Sequence, residues 1–163
     1  IHGTKGSDKI WGGSGDDYLY GGDGDDTLAG GLGNDVVKGG NGNDIIVGNG
    51  RDQLYGGGGA DRFVFSNIKD SLPGWQHRTS ILDFDIHADN IDLRGIDANS
   101  KAEGNQMFTY IGKQPFSGTP GQLKCVDNSG SFVIQADVNG DRIADFELRV
   151  VGTQTIDKTA FLL

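Results

Sequence analysis

Seven consecutive copies of one nine-residue phrase fill residues 3–64 and restrict the fold of this part of the chain more than any other feature. The phrase is G-G-x-G-x-D-x-U-x, in which U is a large apolar residue, and the sixth copy is one residue short. Every copy keeps Asp at the sixth position and an apolar residue at the eighth. The acids are Asp8, Asp17, Asp26, Asp35, Asp44, Asp52 and Asp61, and the apolar residues are Ile10, Leu19, Leu28, Val37, Ile46, Leu54 and Phe63. Self-similarity at a short fixed period indicates a solenoid, in which each repeat buries its apolar side chain against its neighbours.

Each copy divides into a glycine-rich loop and a short strand. Glycine allows backbone turns with positive φ and a close approach of neighbouring chains. The x-U-x triplet places one apolar side chain inward between two outward ones, which is the period of a β-strand. Two copies then complete one turn of a coil, so each copy stacks on the copy two places later and seven copies give five stacked pairs. The pattern predicts a right-handed parallel β-roll over residues 1–64.

The loops have the composition of calcium sites, and nonapeptides of this form are typical of calcium-binding β-helix repeats. Ca²⁺ prefers oxygen ligands and accepts carboxylates together with backbone carbonyls. We expect about five ions in the roll, one for each stacked pair. The expected ligands are the seven sixth-position acids and loop glycines, namely Gly6, Gly13, Gly15, Gly22, Gly24, Gly31, Gly33, Gly40, Gly42, Gly48, Gly50, Gly57 and Gly59. Asp16, Asp23 and Asp25 fall outside the sixth position and are expected to be solvated or to donate carbonyls.

The cation is also expected to decide whether the roll folds. Residues 1–64 hold ten Asp and no Glu against five Lys or Arg, and one apolar residue in nine gives a thin core. Such a core offsets little of the backbone entropy, so metal binding must supply much of the folding free energy. A flexible Gly/Asp linker is the alternative, and the strict register of seven copies disfavours it.

Residues 65–163 are predicted to form a β-sandwich-like cap on the end of the roll, which makes the whole chain all-β. Twenty of the 29 glycines lie in residues 1–64, so the composition changes where the cap begins. The last two predicted strands flank Asn139-Gly140, a strong signal for a tight hairpin. The predicted strands are Phe63–Phe65, Ile81–Phe84, Ile91–Leu93, Phe108–Ile111, Leu123–Val126, Phe132–Val138 and Ile143–Val151.

Charge and composition exclude several classes of partner. The net charge of −9 argues against nucleic acid and anionic membranes. No apolar run reaches the ~20 residues of a membrane-spanning helix. The single cysteine, Cys125, cannot form an internal disulfide, and its apolar setting predicts a reduced, partly buried thiol. The chain starts at Ile1, which leads us to expect a piece of a longer protein with an upstream domain.

Four segments of the second half resemble the C-terminal domain of the serralysin metalloproteases. They are GADRFVFSNIKDS, ILDFDIHADNIDLRGID, FTYIGKQPFSGTPGQL and ADVNGDRIADFELRV, and the repeats before them resemble the RTX roll of the same proteins. The resemblance covers essentially all 163 residues. It implies a calcium-loaded β-roll with a cap, secretion to the extracellular space through the type I machinery, and a further calcium site at Asp83 and Asp89. The C-terminal residues IDKTAFLL are similar to the signal that this machinery reads, although an edge strand has the same pattern.

No catalytic residues are predicted in this chain. The serralysin motif H-E-x-x-H is absent, and His2, His77 and His87 lack the spacing of a zinc site. No G-x-S-x-G motif occurs either. We therefore expect a non-catalytic module that stabilises an attached exoenzyme domain, such as a metalloprotease.

Two alternatives share the same fold. One is a module that binds an anionic polysaccharide such as alginate beside an epimerase or a related enzyme. Its binding face would be the outward residues of the even-numbered repeat strands, Tyr18, Tyr20, Lys38, Gln53 and Tyr55, although tyrosine is also a common exposed strand residue. The other alternative is the C-terminal module of a large RTX adhesin.

Overall fold

The computed structural model describes residues 1–163, which form fourteen strands in two sheets. The strands are β1 Lys9–Ser14, β2 Tyr18–Asp23, β3 Thr27–Leu32, β4 Val36–Asn41, β5 Ile45–Val47, β6 Gln53–Gly58, β7 Arg62–Val64, β8 Ser80–Ile81, β9 Asn90–Asp92, β10 Thr109–Tyr110, β11 Gln122–Asp127, β12 Phe132–Asp137, β13 Phe146–Val150 and β14 Phe161–Leu162. The only helical segments are two 3-10 turns at Ile68–Asp70 and Lys158–Ala160. Neither turn has the length or the apolar character to cross a membrane.

The first sheet is entirely parallel and has the order β1-β3-β5-β7-β9-β14. Its register joins equivalent positions of copies two places apart, so that Ile10 lies beside Leu28 and Leu28 beside Ile46. All three of these side chains are buried. The eighth-position residues therefore line the interior of a parallel roll, as the repeat pattern predicts.

The second sheet is mixed and carries the cap. Its eight strands run in the order β10-β11-β12-β13-β8-β6-β4-β2. Strands β2, β4, β6 and β8 pair in parallel, and β8 then pairs in parallel with β13. Strands β11, β12 and β13 pair antiparallel. The cap thus continues a sheet of the roll, and the predicted all-β fold is confirmed.

The parallel stacking continues beyond the seventh copy. Strand β8 places Ile81 beside Leu54, and strand β9 places Ile91 beside Phe63. These two strands occupy the positions of an eighth and a ninth copy, although an insertion before β8 breaks the nine-residue period. The boundary between residues 1–64 and 65–163 stays a prediction, since β8 and β9 belong to both the roll and the cap.

One apolar core runs through both halves of the chain. It contains 26 buried residues from Ile10 to Phe161, and two aromatic pairs lie where the roll meets the cap. There the ring centroids of Phe63 and Phe84 lie 6.2 Å apart, and those of Phe65 and Phe146 lie 5.6 Å apart. Aromatic pairs bury large areas, so this junction has more apolar support than the outer turns of the roll.

Cys125 is buried, and burial raises the pKa of its thiol to about 11. A thiol with so high a pKa carries little thiolate, so Cys125 packs as a small apolar residue.

All seven strands predicted for residues 63–163 are present, but several are shorter than predicted. The antiparallel pairing of β12 with β13 is confirmed, whereas the tight turn at Asn139-Gly140 is wrong, because residues 138–145 form a wider loop. The buried carboxylate of Asp137 accepts backbone hydrogen bonds from Asn139, Gly140 and Arg142, and Asp145 accepts one from Val138. These side-chain bonds replace the strand pairing expected for residues 143 and 144, whereas the Asp145 N–H still donates to the Ala136 carbonyl at 2.8 Å.

Candidate metal sites

The sixth-position acids form two ladders of carboxylates, one on each side of the roll. Except in the first acid of each ladder, the Oδ1 atom accepts the backbone N–H of the preceding acid in the ladder, at 2.8 or 2.9 Å. One ladder contains Asp8, Asp26, Asp44, Asp61 and Asp89, and the other contains Asp17, Asp35 and Asp52. The second ladder ends at Thr79, whose hydroxyl oxygen lies 3.4 Å from the backbone nitrogen of Asp52.

The other carboxylate oxygen of five of these acids is buried and has no hydrogen-bond partner. These oxygens are the Oδ2 atoms of Asp17, Asp26, Asp35, Asp44 and Asp61. A buried charged oxygen without a partner costs considerable free energy, so buried charges are normally paired or bound to a metal. The five orphan oxygens therefore mark the positions where a cation fits best.

Each orphan oxygen faces a small space beside the first glycine of its own copy. A methyl group placed on Gly12 would lie 2.7 Å from Asp17 Oδ2 and still closer to the carbonyl oxygen of Gly30. The same holds at Gly39, where a methyl group would lie 2.5 Å from the Gly56 carbonyl oxygen and closer still to Asp44 Oδ2. A carboxylate of one copy and a carbonyl two copies later thus converge on one cradle.

The donor set of these cradles suits a hard cation. Nowhere do three His, Cys, Asp or Glu side chains converge, so a cation here would be held by few carboxylates and by backbone carbonyls. Carboxylate and carbonyl oxygens are ligands of Ca²⁺, whereas Zn²⁺ takes nitrogen and sulfur. Apart from Gly48, the first-position glycines are absent from the ligand set that the sequence predicts.

The glycines that the sequence predicts as ligands lie mainly at the second and fourth positions of each loop. Eleven of these glycines have φ angles from 100° to 146°, a range that residues other than glycine rarely adopt. A methyl group on Gly31 would collide with the carbonyl oxygen of Gly13, and one on Gly33 with that of Gly15. The members of this set are Gly13, Gly15, Gly22, Gly24, Gly31, Gly33, Gly40, Gly42, Gly50, Gly57 and Gly59. They allow the loops to stack, and their role as carbonyl ligands stays a prediction.

Two predicted glycine ligands differ from this set, since neither Gly6 nor Gly48 has a positive φ. Gly6 has open space around it, whereas a methyl group on Gly48 would lie 2.5 Å from the ring of Phe65. Gly48 therefore leaves room for the aromatic junction.

The first and the sixth copies depart from the others at the second carboxylate oxygen. Asp8 Oδ2 accepts hydrogen bonds from the backbone nitrogen and the hydroxyl of Thr4, at 2.6 and 2.9 Å. Asp52 Oδ2 accepts the backbone N–H of Asn49 at 2.9 Å, because the shortened loop brings this group within reach. At both copies the protein itself supplies the donor, so the carboxylate is satisfied without a cation.

Asp83 and Asp89 lie at the capped end of the roll, where the sequence places a further calcium site. Asp89 takes the next place in the first ladder, and its Oδ2 accepts the backbone N–H of Asp85 at 2.9 Å. Asp83 accepts the backbone N–H groups of Gly56 and Gly57 at 2.9 and 3.1 Å. All four carboxylate oxygens have protein donors, and a cation at this position stays a prediction.

The electrostatics of the ladders oppose folding without a cation. Burial raises the pKa values of Asp44, Asp52 and Asp61 to about 6, and backbone hydrogen bonds offset only part of this effect. Burial also raises the pKa values of Asp26 and Asp35, and nearby acids raise them further. At neutral pH the ladders therefore hold ionised carboxylates in a poorly solvated column, which a divalent cation would neutralise.

A second set of side-chain bonds runs along the outside of the loops. Asp16 and Asp25 accept the backbone N–H groups of Asn34 and Asn43, at 2.8 and 2.7 Å. Asp23 accepts a side-chain N–H from Asn41 at 2.8 Å. The sequence predicts these three acids to be solvated, and they are exposed, but they also tie successive turns together.

The family of the chain follows from its sequence profile. The profile described as the peptidase M10 serralysin C-terminal domain matches residues 7–163. The chain belongs to this family. The family is a non-catalytic C-terminal module of larger proteins.

Two solved structures are similar to this serralysin C-terminal domain over nearly its whole length. They are the AlgE6R2 and AlgE6R3 subunits of the mannuronan C5-epimerase of Azotobacter vinelandii, each with 25% sequence identity. AlgE6R2 has a TM-score of 0.66, and the match covers 94% of this chain and 91% of that chain. AlgE6R3 has a TM-score of 0.64, with coverages of 93% and 80%. No curated protein sequence matches the chain.

The outer face of the second sheet brings together the five residues predicted as a polysaccharide face. Tyr18 and Gln53 both flank Val36, and Tyr20 and Tyr55 both flank Lys38. The Lys38 ammonium lies 4.9 Å from the ring centroid of Tyr55 and 5.6 Å from that of Tyr18. The serralysin C-terminal domain thus presents an aromatic and cationic surface on the even-numbered strands of its roll.

Proposed function

We propose that the chain is a calcium-dependent folding module that stabilises a covalently attached upstream domain. The observation that carries this proposal is the series of five buried carboxylate oxygens without partners, of which those of Asp17, Asp26 and Asp44 lie beside a backbone carbonyl. Five such oxygens support about five Ca²⁺ ions in the roll. These oxygens belong to the second, third, fourth, fifth and seventh copies, because the first and sixth copies satisfy Asp8 and Asp52 internally.

Calcium would couple the folding of the module to its location. Cytosolic sensors respond at about 10⁻⁷–10⁻⁵ M Ca²⁺ and extracellular modules at about 10⁻⁴–10⁻³ M, so a site of extracellular affinity stays empty inside the cell. The column of raised-pKa carboxylates would keep the calcium-free roll unfolded, a state that can pass through a type I secretion channel. Outside the cell the roll would fold from its capped end, where the aromatic junction gives the first turns a larger core.

Circular dichroism with and without a chelator tests the proposal. We expect a disordered spectrum at pH 7.5 in EGTA and a strand spectrum after addition of millimolar Ca²⁺. Mg²⁺ at the same concentration is the matched control, and it should fold the chain poorly because it requires a small octahedral site and keeps its waters. A strand spectrum that EGTA leaves unchanged would contradict the proposal.

A second candidate function is the binding of an anionic polysaccharide by the tyrosine face, which consists of Tyr18, Tyr20, Lys38, Gln53 and Tyr55. The shared surface of these residues and the similarity to subunits of a mannuronan C5-epimerase support it. Tyr20 is the best probe because its ring is exposed and is not stacked with Lys38. Calorimetric titration with oligomannuronate should show weaker binding for Tyr20→Ala than for the wild type, and absence of binding at millimolar sugar would refute this candidate.

A further inference from the structure

A groove of about 510 Å³ lies on the outer surface where the short sixth copy meets the cap. Gln53 of β6, Ser80 of β8 and Arg149 of β13 lie in one row across the second sheet and form part of its lining. The loop before β8 supplies Trp75 and Arg78. The groove depends on two departures from the repeat pattern, the missing residue of the sixth copy and the insertion before β8.

Three guanidinium groups line this groove, although the chain as a whole has a net charge of −9. Arg78 contacts Glu147 at 3.3 Å, and Glu147 also accepts a hydrogen bond from the backbone of Gly74. Arg51 and Arg149 take part in none of the three ion pairs of the protein. Guanidinium groups bind carboxylates through two parallel hydrogen bonds, so two unpaired ones in a single groove favour an anionic ligand.

The remaining lining points to a sugar rather than to a simple anion. Trp75 is 70% exposed, and apart from Leu82 it is the only apolar residue of the groove. A flat indole ring offers an apolar surface beside polar groups. Asn34, Gln53 and Ser80 add amide and hydroxyl groups, which can both donate to and accept from sugar hydroxyls.

We propose that this groove, which we name the arginine groove, binds an oligosaccharide that carries carboxylate groups. Arg51 and Arg149 would bind the carboxylates, and Trp75 would pack against a sugar ring. The proposal rests on the second candidate function for its class of ligand, but it places the contact outside the tyrosine face except for Gln53. Asp35 and Asp52 also border the groove, so binding should require conditions in which the loop carboxylates are neutralised.

Fluorescence titration in millimolar Ca²⁺ tests the arginine groove. Trp75 and Trp11 are the only tryptophans, so the variant Trp11→Phe leaves Trp75 as the single reporter. Circular dichroism first confirms the folded spectrum of every variant, so that a failure of calcium-driven folding is not mistaken for a failure of binding. The ligand is a mannuronate tetrasaccharide, with a neutral tetrasaccharide and acetate as controls.

We expect the mannuronate tetrasaccharide to change Trp75 fluorescence and to bind less tightly as the salt concentration rises. Arg51→Gln and Arg149→Gln should each weaken binding at least tenfold, since each variant loses hydrogen bonds between a charged donor and a charged acceptor. Lys101→Gln is the matched control, because it removes one charge from an exposed position in the cap, and it should leave the affinity unchanged.

Several results would overturn the proposal. Equal affinity for the neutral tetrasaccharide would remove the role of the carboxylates, and an equal response to acetate would remove the role of the sugar. Retention of full affinity by both arginine variants would place the ligand elsewhere. A loss of binding in Tyr20→Ala but not in Arg51→Gln would support the tyrosine face and refute the arginine groove.

Discussion

Asp44→Asn should have opposite effects on stability with and without calcium. Asp44 is 1% exposed, its Oδ1 accepts the backbone N–H of Asp26 at 2.8 Å, and its Oδ2 has no partner. Asparagine keeps the shape and the Oδ1 acceptor but removes the charge. The substitution therefore separates the hydrogen-bonding role of the side chain from its role as a buried anion.

The size of the effect without calcium follows from the pKa of Asp44. Burial raises this pKa from 3.8 to about 6, so the ionised folded state at pH 7 is disfavoured by up to about 3 kcal/mol. Asp44→Asn removes this penalty and should stabilise the calcium-free fold by up to that amount. In calcium the sign reverses, because the variant loses a carboxylate ligand, and the calcium concentration for half-folding should rise about tenfold or more.

The effects on stability with and without calcium are both measured by circular dichroism at pH 7. In EGTA, trimethylamine N-oxide drives the folding of the calcium-free protein. Without trimethylamine N-oxide, a calcium titration gives the midpoint of calcium-induced folding. Asp8→Asn is the control, because Thr4 already satisfies Asp8 Oδ2, and it should shift the calcium midpoint little. If Asp44→Asn destabilised the calcium-free fold, or left the calcium midpoint unchanged, the assignment of Asp44 as a buried cation ligand would be refuted.

Two further predictions concern protons and loop geometry. The raised pKa values of Asp44, Asp52 and Asp61 mean that the calcium-free folded state binds more protons than the unfolded state between pH 3.8 and about 6, so its stability falls as pH rises through this window. Calcium-free protein should therefore show more strand signal at pH 5 than at pH 7.5, and a flat profile would contradict the electrostatic account. Gly39→Ala should abolish calcium-induced folding because its methyl group would fill the Asp44 cradle, whereas Gly58→Ala, whose nearest contact is 3.6 Å away, should fold at nearly the wild-type calcium concentration.

The repeat period was sufficient to predict the roll, because Asp and an apolar residue recur at fixed positions and each position has one structural environment. The continuation into β8 and β9 was harder to predict, since the insertion before Thr79 breaks the period. A signal was nevertheless present: Thr79-Ser80-Ile81 and Asp89-Asn90-Ile91 repeat the second half of the phrase, with a polar capping residue two places before a buried isoleucine. The tight turn at Asn139-Gly140 failed for a different reason, because the Asp137 carboxylate outcompetes strand pairing for nearby N–H groups.

The candidate cation ligands were only partly predictable. The sequence identifies the acids by their position, but it does not show which carboxylate oxygens accept hydrogen bonds from the neighbouring residues of the loop. Thr4 and Asn49 satisfy Asp8 and Asp52 through local contacts that depend on loop conformation. The first-position glycines look like the other glycines in sequence, although a methyl group on Gly12, Gly21, Gly30, Gly39 or Gly56 would meet the carboxylate of its own copy.

The last strand, β14, completes the edge of the first sheet next to β9. Strand β14 lies in parallel beside β9, and the Leu93 N–H donates to the Leu162 carbonyl at 2.9 Å. Strand β9 follows directly on Asp89, so the docking edge exists only when that end of the roll is built. A partner that grips residues 156–163 in extended form must therefore compete with β9 for the same backbone groups. Binding of the tail in extended form and completion of the sheet would therefore exclude each other.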